Sequence, residues 1–210
     1  MMPKPRPDFG ELSLARPLEP AMLEACSAGP VRTLEEYQKV IAIRAAVYMA
    51  EQDCPYEEEY DGNDFSCTHF LVKAGQTPAG TCRVRWFAGF AKIERSTILP
   101  AFRGTPALKV LMAETCEVIS RKGYRVALAQ IQARLWPVWN RVFRCRLVEG
   151  RSPFDFSDFD YCEMEIPIAP HPHALTIRSD PLQIIRPEGD WDRPGVLDRS
   201  AERSASQKAA

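Results

Sequence analysis

The sequence has little net charge and no long apolar run. Its 27 lysines and arginines nearly balance 28 aspartates and glutamates, for a formal net charge of −1. A general nucleic-acid binder carries an excess of basic residues, so this composition gives no reason to expect one. No apolar stretch reaches the roughly 20 residues that a membrane-spanning helix needs, and we expect no membrane span.

Paired cysteines and histidine clusters are also missing. The seven cysteines are odd in number, none belongs to a C-x-x-C pair, and most lie in apolar runs. This pattern is typical of reduced, buried thiols in a cytoplasmic protein and disfavours a disulfide framework or a zinc site. His171 and His173 have no acidic or cysteine neighbour, so we expect no metal there. Prolines interrupt the N-terminal stretch that a secretory signal would need.

Composition divides the chain into three regions. Residues 1–30 contain six prolines and are predicted to form an arm or disordered lead-in. Residues 31–168 are predicted to form one domain. From residue 169 onward prolines recur and the end is small and polar, which predicts an extension that is partly ordered and then disordered.

Helical and strand-like patterns alternate within residues 31–168. Thr33 and Glu36 form a capping box at the start of an amphipathic helix that extends to about Ala50. The pattern then predicts strands over 68–74, 81–87 and 92–99, a helix over 106–122, a strand over 125–131, a helix over 133–143 and closing strands within 145–150 and 160–168. This order predicts an α+β or α/β domain with one mixed sheet flanked by helices.

One loop has the position of a phosphate site but lacks the usual glycines. The segment RSTILPAFRGTPALKVLM, residues 95–112, passes from a strand through Arg103 and Gly104 into a helix. A helix N-terminus binds anions through its unpaired N–H groups and its dipole. However, Pro106 has no N–H, and Thr105 followed by Pro106 also explains the segment as an ordinary helix start. The residues alone leave both interpretations open.

Four segments resemble, in this order, successive motifs of the GNAT acetyltransferase superfamily: IRAAVYMAEQDCPYEEEYDGNDF, THFLVKAGQTPAGTCRVRW, KIERSTILPAFRG and VALAQIQARLWPVWNRVF. The first is also similar to the front end of acyl-homoserine-lactone synthases and N-acyl amino acid synthases. The resemblance covers roughly residues 31–168. It implies a splayed central sheet, an acyl-thioester donor and transfer of the acyl group to a primary amine.

The resemblance also implies which residues meet the substrates. The donor, acetyl-CoA or another acyl-CoA, would contact Thr97, Ile98, Leu99, Arg103, Gly104, Thr105, Ala107, Leu108, Lys109 and Asn140. A small-molecule amine acceptor would lie near Arg44, Tyr48, Asp61, Asp64 and Arg83. Most of the acidic residues near Asp61 are also explained as an ordinary solvated loop.

Glu94 is the predicted catalytic residue. It would take a proton from the acceptor amine, directly or through a water. It could instead be a strand carboxylate paired with a nearby arginine. Strand alternation predicts that Glu94 and Ser96 share one face, with Arg95 and Thr97 on the other.

The sequence departs from the family pattern at two places. Pro106 and Leu108 stand where the phosphate loop has glycine and then glycine or alanine. Trp139 and Asn140 stand where the family often has a tyrosine that protonates the leaving thiolate. Cys145 could replace that tyrosine, although a buried structural cysteine is the simpler interpretation.

These departures keep two alternatives open. One is a synthase that takes its acyl group from an acyl carrier protein, whose phosphopantetheine carries a single phosphate. The other is a non-catalytic module that keeps the fold for binding. In either case the C-terminal extension could pack on the domain or join two copies into a homodimer.

Overall fold

A single eight-stranded sheet organises the molecule. The computed structural model describes residues 25–156 and 159–209. The strands are β1 (Cys26–Pro30), β2 (Cys67–Ala74), β3 (Thr77–Phe87), β4 (Phe90–Ile98), β5 (Val126–Gln132), β6 (Arg146–Leu147), β7 (Phe154–Phe156) and β8 (Phe159–Pro167). They lie in the order β1-β2-β3-β4-β5-β8-β6, and β7 also pairs with β8. Among the strands of the described residues only β4 and β5 are parallel neighbours, so the predicted mixed sheet is confirmed.

Helices cover the sheet. They are α1 (Leu34–Arg44), α2 (Tyr56–Glu59), α3 (Ala107–Arg121), α4 (Trp136–Phe143), α5 (Pro181–Ile184) and α6 (Val196–Ala209). The main core lies between α3 and the sheet, and α3 buries Leu111, Met112, Val118 and Ile119 there, as its periodicity predicts. No helix within the described residues is both long and apolar enough to cross a membrane.

The helix at the start of the predicted domain has two parts. The Glu36 N–H donates to Thr33 Oγ1 at 3.1 Å, which confirms the predicted cap, while the Glu36 carboxylate accepts the N–H of Arg32 at 3.1 Å. After Arg44 the chain widens into a π-helix, Ala45–Glu51, where one continuous α-helix is predicted. Such widened turns often occur at functional sites, because they redirect side chains.

The sheet begins earlier than the sequence predicts. Cys26–Pro30 falls inside the predicted arm, yet it forms β1 and pairs along β2 from Cys26 opposite Ala74 to Pro30 opposite Phe70. Pro30 is tolerated because it ends an edge strand, where its missing N–H interrupts no ladder. Residues 1–24 lie outside the described part of the chain.

The C-terminal extension packs against the domain. Trp191 is buried in the main core, and Lys122 Nζ of the domain lies 3.1 Å from the Glu188 carboxylate. The final helix α6 occupies the stretch that composition predicts to be disordered. Asp198 accounts for part of this difference, because it binds Arg186 at 2.6 Å and accepts the N–H of Gly195 at 2.5 Å at the start of that helix.

Gly80 on β3 allows β4 to approach closely, and we expect Gly80→Ala to destabilise the fold. A Cβ at this position would lie 2.6 Å from the Thr97 carbonyl oxygen. Overpacking of this kind costs about 1–3 kcal/mol, which urea denaturation can measure. Gly29→Ala on β1 is the matched control, because nothing lies within 4 Å of its added Cβ. Equal effects of the two substitutions would contradict the close approach.

Candidate functional site

The two central strands separate part-way along the sheet. β4 and β5 pair in parallel over Ala91–Ile93 and Ala127–Ala129 only. Beyond these residues β4 continues to Ile98 and β5 to Gln132 without pairing to each other. Backbone N–H and C=O groups need partners, so two diverging strands can accept an extended ligand between them.

A bulge in β4 lies beside this split. Thr81 pairs with Thr97 and Arg83 pairs with Glu94, so Arg95 and Ser96 together oppose the single residue between Thr81 and Arg83. Arg95 takes the left-handed conformation, with φ of 52°. The predicted strand alternation is therefore wrong past Glu94, because a bulge changes which face the following side chains reach.

Residues of the π-helix and of α2 hold the bulge in place. The Tyr48 hydroxyl donates to the Ser96 carbonyl at 3.0 Å, and burial raises the pKa of Tyr48. Arg95 reaches Glu59, with its Nε 3.0 Å from the carboxylate, and donates to the Glu58 carbonyl at 2.5 Å. Tyr48 thus acts on the strand backbone and lines the cleft at the same time.

The split opens into a cleft of about 710 Å³. One wall is β4 from Lys92 to Ile98, and the other is β5 from Ala129 to Gln132. Its apolar surface comes from Val47, Ile93, Ile98, Phe102, Leu108, Ala129, Ile131, Leu135, Val138, Trp139, Phe154 and Phe156. A mostly apolar cleft with a few convergent polar groups is the usual form of a small-molecule site.

The predicted phosphate loop closes one end of the cleft. Arg103, Gly104, Thr105 and Leu108 all line it, and Gly104 has a φ of 79° that favours glycine. The helix starts one residue later than predicted, with Pro106 rather than Thr105 as its N-cap, and the Ala107 N–H donates to Thr105 Oγ1 at 3.3 Å. The structure thus combines the two interpretations of this segment, because the helix start also faces the cleft.

Arg103 already has an anionic partner. Its two terminal nitrogens donate to the two carboxylate oxygens of Glu51 at 2.7 and 2.6 Å, and its Nε donates to the Ile98 carbonyl at 3.1 Å. Glu51 ends the π-helix, so this ion pair joins the helical side of the cleft to the loop. A bound phosphate would compete with the Glu51 carboxylate for the same guanidinium.

Four predicted donor contacts lie away from the cleft. The Leu99 N–H already donates to the Ala79 carbonyl at 2.9 Å. Ala107 is fully buried in the core, and Lys109 is exposed outside the cleft lining. Asn140 is also exposed, while its neighbours Val138 and Trp139 line the cleft instead. Helical periodicity explains the last case, because adjacent residues point about 100° apart.

A buried charge network occupies the predicted acceptor site. Arg44 and Arg83 are fully buried, and both donate to Asp64 Oδ1, at 2.6 and 2.8 Å. Arg83 also binds Asp61 at 2.5 Å, and Arg44 binds Glu59. The structure therefore brings Arg44, Arg83, Asp61 and Asp64 together as predicted, but as partners of one another rather than as free groups.

This network controls the ionisation of its acids. Burial alone would raise the pKa of Asp61 and Asp64. Hydrogen bonds from Arg83 and Asn63 hold the pKa of Asp61 below the ordinary 3.8, and Arg44 and Arg83 do the same for Asp64. Burial dominates at Glu59, whose pKa is raised. Of these acids Asp61 also lines the cleft, and so do Glu94, which binds Arg83, and Arg95, which binds Glu59.

Glu94 faces three cationic groups. Arg83 contributes Nε at 3.0 Å, Lys92 Nζ lies at 2.8 Å, and Arg85 lies at 3.8 Å. Burial acts to raise the pKa of Glu94, but Lys92 and Arg83 outweigh it and lower the value. Glu94 is therefore an ionised carboxylate on the cleft wall and a weak base.

No protein-family model matches the chain. A Bacillus subtilis protein provisionally named an acetyltransferase is 32% identical over 92 residues, which are 42% of this chain and 63% of the relative. An uncharacterized N-acetyltransferase of the same species is 31% identical over 78 residues, 37% of this chain and 56% of the relative. The chain thus matches less than two thirds of the length of either relative.

Solved structures match over more of their length. A provisional N-acetyltransferase from Lactobacillus plantarum has a TM-score of 0.63 at 17% identity, over 69% of this chain and 99% of the other. A CoA-dependent acyl-homoserine lactone synthase, solved with SAM and isopentyl-CoA, scores 0.58 at 13% identity, over 69% and 84%. An N-acyl amino acid synthase from uncultured soil microbes scores 0.57 at 9% identity, over 84% and 98%. This chain has the GNAT fold.

The GNAT resemblance directs attention to a tyrosine that sequence reasoning misses. Trp139 and Cys145 are buried, and Cys145 Sγ contacts the Trp139 carbonyl at 3.4 Å, so Cys145 has a structural role. Tyr161 on β8 instead brings a phenol to the cleft. It pairs opposite Gln132 at the open end of β5, and burial raises its pKa. Tyr161 and Gln132 are distant in sequence, so the pairing of β8 with β5 is needed to place Tyr161 at the cleft.

One cluster has the composition of a metal site. Ligand atoms of Asp64, Cys67 and His69 lie within 4.8 Å of one another. Arg44 and Arg83 already bind the Asp64 carboxylate, so a cation there would meet two buried positive charges. The geometry therefore favours the structural ion pairs.

We expect Asp64→Asn to destabilise the protein, because it removes the carboxylate shared by Arg44 and Arg83. Breaking a buried ion pair costs about 3–5 kcal/mol. The native pKa of Asp64 lies below the unfolded 3.8, so its contribution is present above that value and is lost as the pH falls through the lower, folded pKa. Denaturation should show a large difference from wild type at pH 7 that shrinks towards pH 3. The exposed Asp155→Asn is the control, and a pH-independent difference would contradict this assignment.

Proposed function

We propose that the protein is an N-acyltransferase that moves an acyl group from acyl-CoA to a primary amine. The observation that carries the proposal is the split between β4 and β5, with a bulge in one strand and a helix N-terminus at the open end. This arrangement suits a donor that has an extended amide-containing arm and a phosphate group. The similarity to the acetyltransferases supports the same reaction.

The residues at the split fit such a donor. The arm would lie along Thr97 and Ile98, whose strand has no β5 partner at this point. The phosphate would meet the side chain of Arg103 and the start of α3 at Leu108, since the Ala107 N–H already donates to Thr105 Oγ1 and only Leu108 of the first turn lines the cleft. Pro106 has no N–H to donate, and the Leu108 side chain narrows the approach. Phosphate binding therefore depends on fewer groups than a glycine-rich loop provides.

The reaction is a direct transfer. The amine nitrogen attacks the thioester carbonyl carbon, a C–N bond forms, and the C–S bond breaks. One proton leaves the nitrogen and one proton joins the sulfur, so the products are an amide and a free thiol. Glu94, as a weak base, orients the amine or a water that carries its proton away.

Tyr161 is our candidate for the proton donor to sulfur. The Tyr48 hydroxyl donates to the Ser96 carbonyl, whereas the Tyr161 phenol interacts with the Gln132 side chain and lines the cleft. A phenol is protonated at neutral pH at its ordinary pKa of 10, and burial raises the pKa of Tyr161 further.

A carrier-protein-dependent synthase is the second candidate. It is favoured by the reduced phosphate site and by the likeness to the N-acyl amino acid synthase, which spans 84% of this chain. A non-catalytic module is a further alternative, and failure to find any donor would favour it. Acetyl as the acyl group, a homodimer and a cytoplasmic location remain predictions from the sequence.

Calorimetry with acetyl-CoA and octanoyl-CoA tests the donor. We expect binding that Arg103→Gln weakens about tenfold, because a charge-assisted bond to phosphate is lost. We expect Glu51→Gln to strengthen binding about two- to fivefold, since it removes a competitor held by an exposed ion pair. The exposed Arg125→Met, outside the cleft, serves as the control.

Absence of binding by both CoA esters would overturn the proposal. Binding of octanoyl-phosphopantetheine on a carrier protein without binding of octanoyl-CoA would favour the second candidate.

Tyr161→Phe tests the proton donor. With an accepted amine we expect kcat to fall about 100-fold while the donor affinity stays unchanged, because only the transfer of a proton is lost. Tyr124→Phe is the matched control, since Tyr124 packs against Trp86 at 5.3 Å outside the cleft. Release of free thiol measures the rate, and an unchanged kcat in Tyr161→Phe would remove this residue from the mechanism.

A further inference from the structure

Two cationic side chains lie directly opposite each other at the closed end of the cleft. Arg85 on β3 pairs with Lys92 on β4, so both side chains leave the sheet on the same face. Both line the cleft, and their side chains are 28% and 19% exposed. Arg85 is held in place by the Phe87 ring, whose centroid lies 5.0 Å from the guanidinium carbon.

These cations share one carboxylate. The ion pairs that the structure shows for Arg85 and Lys92 both go to Glu94, at 3.8 and 2.8 Å. Glu94 is also bound by Arg83, which has Asp61 and Asp64 as further partners, so the single charge of Glu94 faces the two charges of Arg85 and Lys92. Like charges directly opposite on neighbouring strands repel each other. This part of the wall therefore has positive charge in excess and would gain from a bound anion.

Acids farther along the same face have partners of their own. Glu163 on β8 accepts from Gln130 at 2.8 Å and lies 3.5 Å from Arg151. Glu165 lies 3.8 Å from Arg146. They therefore do not neutralise the pair formed by Arg85 and Lys92.

The position of this pair separates it from the donor's phosphate. Lys92 lies opposite Leu128, where β4 and β5 are still joined. The phosphate loop begins six residues later, beyond Ile98, which is roughly 20 Å along an extended strand. An anion at Arg85 and Lys92 is therefore a second anionic group, beside Glu94 and the reacting centre.

We propose that Arg85 and Lys92 bind a carboxylate of the acceptor, and that the acceptor is consequently an amino acid or a similar amine with a nearby carboxylate. This inference rests on the proposed function and names the substrate class of the same site. A guanidinium fork and an ammonium together give a carboxylate charge-assisted hydrogen bonds. The amine of such a molecule then lies beside Glu94, on the path to the thioester.

Product analogues test the proposal without knowledge of the natural acceptor. Calorimetry compares N-octanoylglycine with N-octanoylglycinamide, which differ only in the charged group, on protein saturated with CoA. We expect wild type to prefer the carboxylate by about tenfold or more, as bonds between charged groups predict. Arg85→Met and Lys92→Met should each reduce this preference to about threefold or less. Arg125→Met, outside the cleft, should retain it.

The outcomes are distinct. Unchanged affinity for CoA in both variants shows that they fold, so a lost preference then supports the subsite. Equal binding of the two analogues by a wild type that binds CoA overturns the subsite and leaves the proposed function standing. Failure to bind CoA overturns both. A preference for succinyl-CoA over butyryl-CoA that Arg85→Met abolishes would place the carboxylate on the acyl group and overturn the assignment to the acceptor.

Discussion

The site depends on a short pairing between two parallel strands. β4 and β5 are joined over Ala91–Ile93 and Ala127–Ala129 and then diverge. Backbone groups of the diverging segments cannot satisfy one another, and burying them without partners would be costly. An open cleft avoids that cost, because water or an extended ligand can supply the missing hydrogen bonds. The remaining features of the site position groups along this opening.

The buried charges connect the elements that surround the opening. Glu59 binds Arg44 on one side and Arg95 at the bulge on the other, so it ties the first helix to the displaced strand. Asp61 binds both Arg83 and Arg95 and extends this connection across β3 and β4. Charges in such a network depend strongly on one another, because each would be expensive to bury alone. Their clustering in the sequence therefore marks the neighbourhood of the site more than its reacting groups.

The sequence predicts the elements better than the site. Periodicity locates α3, the central strands and the capped start of α1, because each element has a local pattern. It cannot locate the bulge at Arg95 and Ser96, which arises from a mismatch between β3 and β4. It also misses Tyr161, which reaches the cleft only through the pairing of β8 with β5. Its acceptor residues Arg44 and Asp64 are close together as predicted, but their mutual ion pairs become visible only in three dimensions.

The two ends of the cleft differ in how far their positive charge is neutralised, and this difference bears on donor recognition. At the open end Glu51 neutralises Arg103, and the loop lacks one amide donor at Pro106. In the proposed site a phosphate would therefore contribute less than in a glycine-rich loop, and the unpaired stretch of β4 would contribute more. In strand addition the affinity comes from main-chain hydrogen bonds to the amide-containing arm, and these bonds are the same whether the arm belongs to CoA or to a carrier protein. If the donor binds as we propose, its arm and acyl group would select it, and both CoA and a carrier protein would be compatible with such a site.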